Sequence, residues 1–429
     1  MRLASTATWV FLFFAISLQA ADGSKVFDVR QFGAKGDGRT LDTAAIQKAL
    51  EACGRAGGAT VKFSPGIYLS QPITIRTKTT MLLEAGATLL ASPTQSDFLK
   101  GGGDFIPFIS GKDLTDVTFT GKGTIDGNGA VWWEEAEKAR QKVSGYTLPR
   151  PNLIVLTRCK NVRLENLTVQ NSPKFHFVPT DCEGVVVSNV TILAPEHAAN
   201  TDAIDPSACK NVLITKCRID VGDDNVAIKA GKKVAGREFA SEDITVTDCT
   251  FLHGHGMSIG SETAGGVRNV TVKNCTFENT ENGIRIKSQR GKGGIVENIS
   301  YSDLTMKNVD PAITFTCYYM NNSAKDAVRS SPPKETSAPS AGEKIPVYRN
   351  IRVTNLKATC QKSAGVILGL PNSCISNVVF ENVILSANTG LTIHNAKGIQ
   401  FKNSSVTVKS GPAFSAENAE IEGLENPQK

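Results

Sequence analysis

From Val162 onward one pattern of apolar and polar positions keeps returning: apolar, any, apolar, any, then Asn, Asp or Lys, then small or apolar, any, apolar. Nine copies align, beginning at Val162, Val185, Val212, Ile244, Val270, Ile299, Ile351, Val378 and Ile399, with successive steps of 23, 27, 32, 26, 29, 52, 27 and 21 residues. Alternation with period two sends successive side chains to opposite faces, which predicts a strand in every copy. Steps of this length, each holding short strands broken by Asn, Gly and Asp turns, predict a chain that coils and stacks each coil on the last. The expected fold is therefore all-β, a single-stranded parallel β-helix of about ten coils. A leucine-rich array would need a Leu-rich spacing with a helical segment, and a propeller would repeat at longer intervals. The doubled step of 52 reads as one coil carrying an insertion, about residues 318–346, rich in Ser, Pro, Ala and Lys and expected as a surface loop.

Before the repeats, Ile46, Ala49, Leu50 and Cys53 share one helical face, which predicts a capping helix from about Thr43 to Cys53 with Asp42 as its N-cap. Gly33, Gly36 and Gly38 just ahead of it read as turn glycines, because their spacing matches neither phosphate-loop signature. Earlier still, Arg2, the apolar run from Trp9 to Leu18 and then Gln19-Ala20-Ala21 follow the order of a secretory signal peptide. Residues 1–21 are accordingly expected to be removed, leaving 22–429 as one β-helix domain that is secreted, extracellular or periplasmic. The apolar run is too short to span a bilayer as a mature helix, so no membrane partner is expected.

Composition adds ordinary globular character, with 40% hydrophobic and 21% charged residues. Lys and Arg exceed Asp and Glu by 47 to 41, a mild basic excess that suits a polyanion. The charges are scattered, without a basic run interleaved with aromatics, and this argues against nucleic acid. The ten cysteines are periodic rather than paired as in zinc sites. Cys159, Cys182 and Cys209 each stand three residues before a repeat start, and Cys217, Cys249 and Cys275 five after one. Two internal ladders are predicted, since equivalent positions on adjacent coils lie about 4.8 Å apart. Cys360 and Cys374 are the first pair to test for a disulfide. Asn166, Asn189, Asn274, Asn355, Asn382 and Asn403 occupy one equivalent turn position and predict an asparagine ladder.

Polar residues that break the pattern concentrate in four consecutive coils: Asn200-Thr201-Asp202, Gly222-Asp223-Asp224, Gly254-His255-Gly256 and Arg285-Ile286-Lys287. Aligning the strands that follow puts Ile204, Val226, Met257 and Ile284 in one inward row. Asp202, Asp224 and His255 then fall two residues before that row and Arg285 one after it. A β-helix has no structural need for adjacent carboxylates, which repel. Three close aspartates supply what acetal hydrolysis requires, a carboxyl that donates a proton and a carboxylate that acts on the other side. Arg285 and Lys287, two apart on one strand face, can hold a sugar carboxylate. His255 can donate a hydrogen bond or tune a neighbouring pKa.

These four motifs, in this order on β-helix repeats, resemble the signatures of the polygalacturonases, glycoside hydrolase family 28. The resemblance runs from about Val26 to Val406 and includes the opening Gly33-Ala34-Lys35-Gly36-Asp37-Gly38. It implies a secreted, inverting, pectin-degrading enzyme on a right-handed β-helix, without a cofactor or metal, acting as a monomer on polygalacturonate. It further implies that Asp223 is the general acid, that Asp202 and Asp224 activate the water, and that His255 supports the acid. Asn200, Arg285 and Lys287 would bind substrate, together with a tyrosine, Tyr318 or Tyr319, of which Tyr318 is taken first. One departure is Asn225, where many relatives have Cys, with little consequence expected. The alternatives are a calcium-dependent pectate lyase whose ligands are the aspartates, a related rhamnogalacturonan or xylogalacturonan hydrolase, and a non-catalytic carbohydrate-binding β-helix.

Overall fold

The computed structural model describes residues 25–101, 104–142, 148–231, 239–319 and 343–424. The expected signal peptide and all but the ends of the 318–346 insertion lie outside the described residues. Successive coils build three parallel sheets, and every repeat start recognised in the sequence pairs with the next, from Val162↔Val185 through Val378↔Ile399. Ile299 pairs directly with Ile351, so the doubled step is one coil with an insertion. The same ladder continues upward through Val117, Thr79 and Ala59 and downward to Ile421. The stack is thus longer than the repeat suggests, because its first coils lack the Asn that marks the later turns.

Alternation has the predicted effect. Val162, Val185, Ile244, Val270, Val378 and Ile399 are buried inside the stack. The core they form is filled by like on like, as in the Phe251–Phe277 and Phe380–Phe401 ring pairs with centroids 4.8 and 4.7 Å apart. The two cysteine ladders are present. Cys159 donates its N–H to the Cys182 sulfur at 3.3 Å, and Cys217, Cys249 and Cys275 stand at equivalent positions, each thiol donating to the carbonyl two residues before it. All ten cysteines are free thiols, so the pair Cys360 and Cys374 is not a disulfide.

The asparagine ladder is also present, for a backbone reason. Each turn must pass through the left-handed region, which Asn tolerates better than other side chains. Asn166, Asn189, Asn355, Asn382 and Asn403 have φ between 47° and 60°. Their amides then bond along the stack, Asn189 to Asn166 at 2.9 Å, Asn382 to Asn355 at 3.0 Å and Asn403 to Asn382 at 2.7 Å. A second ladder, one residue before each repeat start, escaped the sequence reading: Asn377 donates to Asn350, Asn350 to Asn298 and Asn298 to Asn269.

Helix α1, Thr43–Arg55, covers the open end with Ile46, Ala49, Leu50 and Cys53 fully buried. Asp42 does not cap it through its side chain. Its carboxylate instead accepts the N–H groups of Lys35 and Gly36, at 2.6 and 2.9 Å, and so closes the glycine-rich turn. A second helix, α2 at Ala130–Lys142, was not expected. It is anchored by Trp132, packed edge-on to Phe98 and Phe105, and by Trp133, whose indole N–H donates to Ser172 O at 3.0 Å.

Candidate active site

The site forms at the turns that lead into one sheet. Phe177, Ile204, Val226, Met257 and Ile284 pair in sequence along the stack, as the inward row requires. Register fixes the chemistry. Asp202, Asp224 and His255 stand two residues before this row on three consecutive coils, Asp223 stands three before it, and Arg285 and Lys287 follow it on the next coil.

The turns are braced so that these side chains cannot drift. Thr201 Oγ1 donates to Ala198 O at 2.6 Å and accepts from Gly222 N at 3.0 Å, which ties the Asp202 turn to the Asp223 turn. His255 N–H donates to Asp223 O at 2.9 Å. The glycines flanking His255 are dictated by space and conformation. Gly254 and Gly256 have φ of 111° and 71°, and a Cβ there would lie 2.5 Å from Asp223 O and 2.1 Å from Asn282 O. Asn225 is fully buried, accepts from Gly256 N at 2.8 Å and donates to His253 O at 2.9 Å. Asn225, where many relatives are expected to have Cys, thus pins both sides of the turn that carries His255.

Two electrostatic groups result. In the first, Asp224 is buried and receives Lys287 Nζ at 2.8 Å on one oxygen, with Arg285 and the Ser258 hydroxyl, at 2.7 Å, on the other. Arg285 Nε also donates to Ser258 Oγ at 3.0 Å, so the serine locks the fork against the carboxylate. His255 Nδ1 lies 3.0 Å from Asp223 Oδ1, and its Nε2 3.0 Å from Glu281 Oε2. Burial alone would lower the His255 pKa, but the Asp223 and Glu281 carboxylates raise it to about 10, so the ring is cationic at neutral pH. Burial works against ionisation of Asp223 too, yet His255, Lys287 and Arg285 hold its carboxyl well below the usual range. Asp224 is likewise opposed by burial and held at about 2 by Lys287 and Arg285.

The second group was missed in the sequence. Asp205, three residues after Asp202, is buried and forms an ion pair with Lys229, whose Nζ is also 3.3 Å from Asp202 Oδ2. Burial, Asp205 and Asp223 push Asp202 well above the carboxylate range, and burial lifts Asp205 to about 6 against the pull of Lys229. The Oδ1 atoms of both are buried with no N–H or hydroxyl donor. A proton shared by the two carboxyls satisfies them. Lys229 stands three residues after Val226 as Lys287 does after Ile284, a correspondence that repeat alignment could have exposed.

Asn200 directs both its backbone and side-chain N–H groups to Asp223 Oδ2, at 3.2 and 3.4 Å, while its Oδ1 accepts from Arg150 at 2.8 Å. It thus positions Asp223. Of the two tyrosines, Tyr319 has its ring 4.9 Å from Lys287 Nζ, whereas Tyr318, taken first from the sequence, packs against the hydrophobic core. On the C-terminal side of Glu281 a groove of about 1220 Å³ follows the turns of the next coils past Asp310, Lys362 and Gly390.

Asp223, Asp224 and His255 bring three donor atoms within 4.8 Å of one another, near enough for a metal. The surroundings do not fit calcium, which prefers six or more oxygen ligands. Both oxygens of Asp224 are engaged by cations, and a divalent ion would sit against Arg285, Lys287 and a protonated His255.

An endo-polygalacturonase of Pectobacterium carotovorum subsp. carotovorum is 39% identical over 306 residues, spanning 66% of this chain and 74% of that protein. A probable polygalacturonase of Vitis vinifera is 32% identical over 411 residues, 90% of this chain and 79% of that one. The solved polygalacturonase of Erwinia carotovora ssp. carotovora superposes with a TM-score of 0.70 at 33% identity, covering 83% of this chain and 93% of its own. The profile of the glycosyl hydrolases family 28 matches residues 68–406, and the chain belongs to that family.

Proposed function

We propose that the protein is a secreted, monomeric polygalacturonase that hydrolyses the α-1,4 galacturonosyl bonds of pectin with inversion. The observation that carries this is the meeting of Asp202, Asp223 and Asp224 on neighbouring turns, with Arg285 and Lys287 one strand away. Asp223 is ionised in the free site; as Arg285 and Lys287 turn to the substrate carboxylate, it takes a proton from His255, the cation 3.0 Å away, and delivers it to the glycosidic oxygen as the bond to the anomeric carbon breaks. On the opposite face a water attacks the anomeric carbon and passes its proton to the aspartate pair of Asp202 and Asp224. Asp224 is the ionised member in the free site, and so the one open to accept a proton, because Asp202 holds the proton it shares with Asp205. Arg285 and Lys287 exchange part of their contact with Asp224 for the substrate carboxylate, with Tyr319 beside Lys287.

Carboxyl groups that flank the bond widely enough to admit a water, about 6.5–9.5 Å, give inversion. The polymer and the mild net positive charge suit each other, and among the described residues no helix is long and apolar enough to cross a membrane. Time-resolved product analysis on polygalacturonate tests the reading. Saturated oligogalacturonates whose new reducing ends have inverted configuration are expected. Unsaturated products that require calcium would replace hydrolysis by elimination.

A further inference from the structure

A second cationic position lies on the other side of the aspartate cluster from Arg285 and Lys287. Lys174 stands three residues before Phe177, as Asp223 does before Val226 and Glu281 before Ile284, so it belongs to the same lateral row of turn residues. Coils in a β-helix are spaced about 4.8 Å apart, which puts the Lys174 coil about 10 Å from the Asp223 coil on one side and the Arg285 coil about 10 Å away on the other.

The side chain is held in place but its charge is not used. The Lys174 ammonium lies over the Phe175 ring, 4.8 Å from the centroid, and Lys229 Nζ lies 4.3 Å from the same ring. The turn is fixed by Ser172 Oγ, which accepts from Lys174 N at 3.3 Å and donates to Phe175 O at 2.9 Å, and by Arg150, which donates to Pro173 O at 2.9 Å. Lys229 spends its charge on Asp202 and Asp205 and Arg150 donates to Asn200 and to backbone carbonyls. Lys174 is half-buried, and its ammonium has no ion pair or hydrogen bond with any described residue. Burial, with Arg150 nearby, pushes its pKa below the ordinary lysine range, so the site pays a desolvation cost that an incoming anion would relieve.

We propose that Lys174, seated on Phe175, binds the carboxylate of the galacturonate unit across the cut from the unit held by Arg285 and Lys287. This rests on the polygalacturonase reading. A polymer with a carboxylate on every unit, laid along the stack, meets a cation on each side of the aspartates. Lys174 is thereby a specificity residue: it favours free galacturonate over its neutral methyl ester at that position.

The test is calorimetric titration of Asp223→Asn protein with tetragalacturonate, alone and combined with Lys174→Gln, Lys174→Glu or Lys174→Arg, each checked by thermal melting. The expected result is about tenfold weaker binding for Lys174→Gln, since a charged hydrogen bond is lost, and a larger loss for Lys174→Glu. Lys174→Arg should bind near the parent value, and the differences should shrink with added salt. Parent-like binding by both Gln and Glu variants overturns the proposal, as does an Arg variant no better than Gln, which would mean packing rather than charge. Failure of the Asp223→Asn parent itself to bind tetragalacturonate would count against the polygalacturonase reading and take this inference with it.

Discussion

Each coil of this protein turns more than once, and two of its turns contrast sharply. At the asparagine turns, side chains of one shape stack on one another, and amides donate along the axis to amides or, at Asp248 and Asp303, to carboxylates. At the turns of the aspartate cluster, unlike residues stack: Asp202, then Asp223 and Asp224, then His255, then Arg285 and Lys287. There the charges are buried, and Asp202, Asp223 and Asp224 are each paired with a cation on a different coil. One kind of turn maintains the stack and the other exploits it. The difference teaches that a repeat can supply position while departures from the repeat supply chemistry.

The contrast breaks hardest at Asp223. Asp223→Asn keeps the side-chain shape and removes the group that carries the proton to the glycosidic oxygen, so turnover on polygalacturonate should fall about 10²–10⁴-fold while the protein still folds, its melting lowered only by loss of the His255 pairing. Near-normal turnover of the folded variant would remove Asp223 from the role proposed for it. Lys287→Gln comes next. It leaves Asp224 with Arg285 and Ser258 but loses a charged contact for the substrate, and kcat/KM should drop about 10- to 100-fold. Unchanged kinetics would show that Lys287 serves Asp224 alone.

A third test reads the charge pairing through pH. The folded pKa of His255 is raised from 6.5 to about 10, so the stability it contributes is fully present below pH 6.5 and is lost as pH rises through about 10. Melting temperature of the wild type should therefore decline more steeply over that window than that of His255→Gln, and parallel curves would rule out the ion pair with Asp223. The smallest effect belongs to the other kind of turn. Asn382→Ala forces a Cβ-bearing residue without a cap into φ of 54° and cuts two ladder bonds. It should cost about 1–3 kcal/mol of stability with turnover unaltered. Asn382→Gly separates the two causes, since glycine keeps the backbone and loses only the amide.

How much of this was legible follows the same division. Strand register was fully readable from Val162 to Ile399 because period-two alternation and β-branched starts leave only one way to bury one face. The levels at Ala59, Thr79 and Val117 were not, since their turns lack the asparagine signal. Asp202, Asp224, His255 and Arg285 announced themselves by interrupting a pattern. Asp205 and Lys229 did not, because an Asp beside a proline and a Lys on a strand look like ordinary turn and surface residues until the coils are superposed. Asn225 hid its role by substituting one small buried side chain for another. For Tyr318 and Tyr319, the choice depended on which way the chain leaves the strand Ile313–Thr316, and no periodicity extends past that end. Helix α2 lay in a connection between strands, where the repeat makes no demand.

The cysteines carry one further consequence. Ten thiols occupy a chain proposed above to be secreted, and none is cross-linked. Two sets of them act instead as small apolar rungs whose thiols donate to backbone carbonyls, as Cys209 does to Pro179 O and Cys249 to Thr247 O. The native fold then needs no oxidation to form: a reducing bacterial cytoplasm should yield the native molecule without disulfide-forming oxidoreductases.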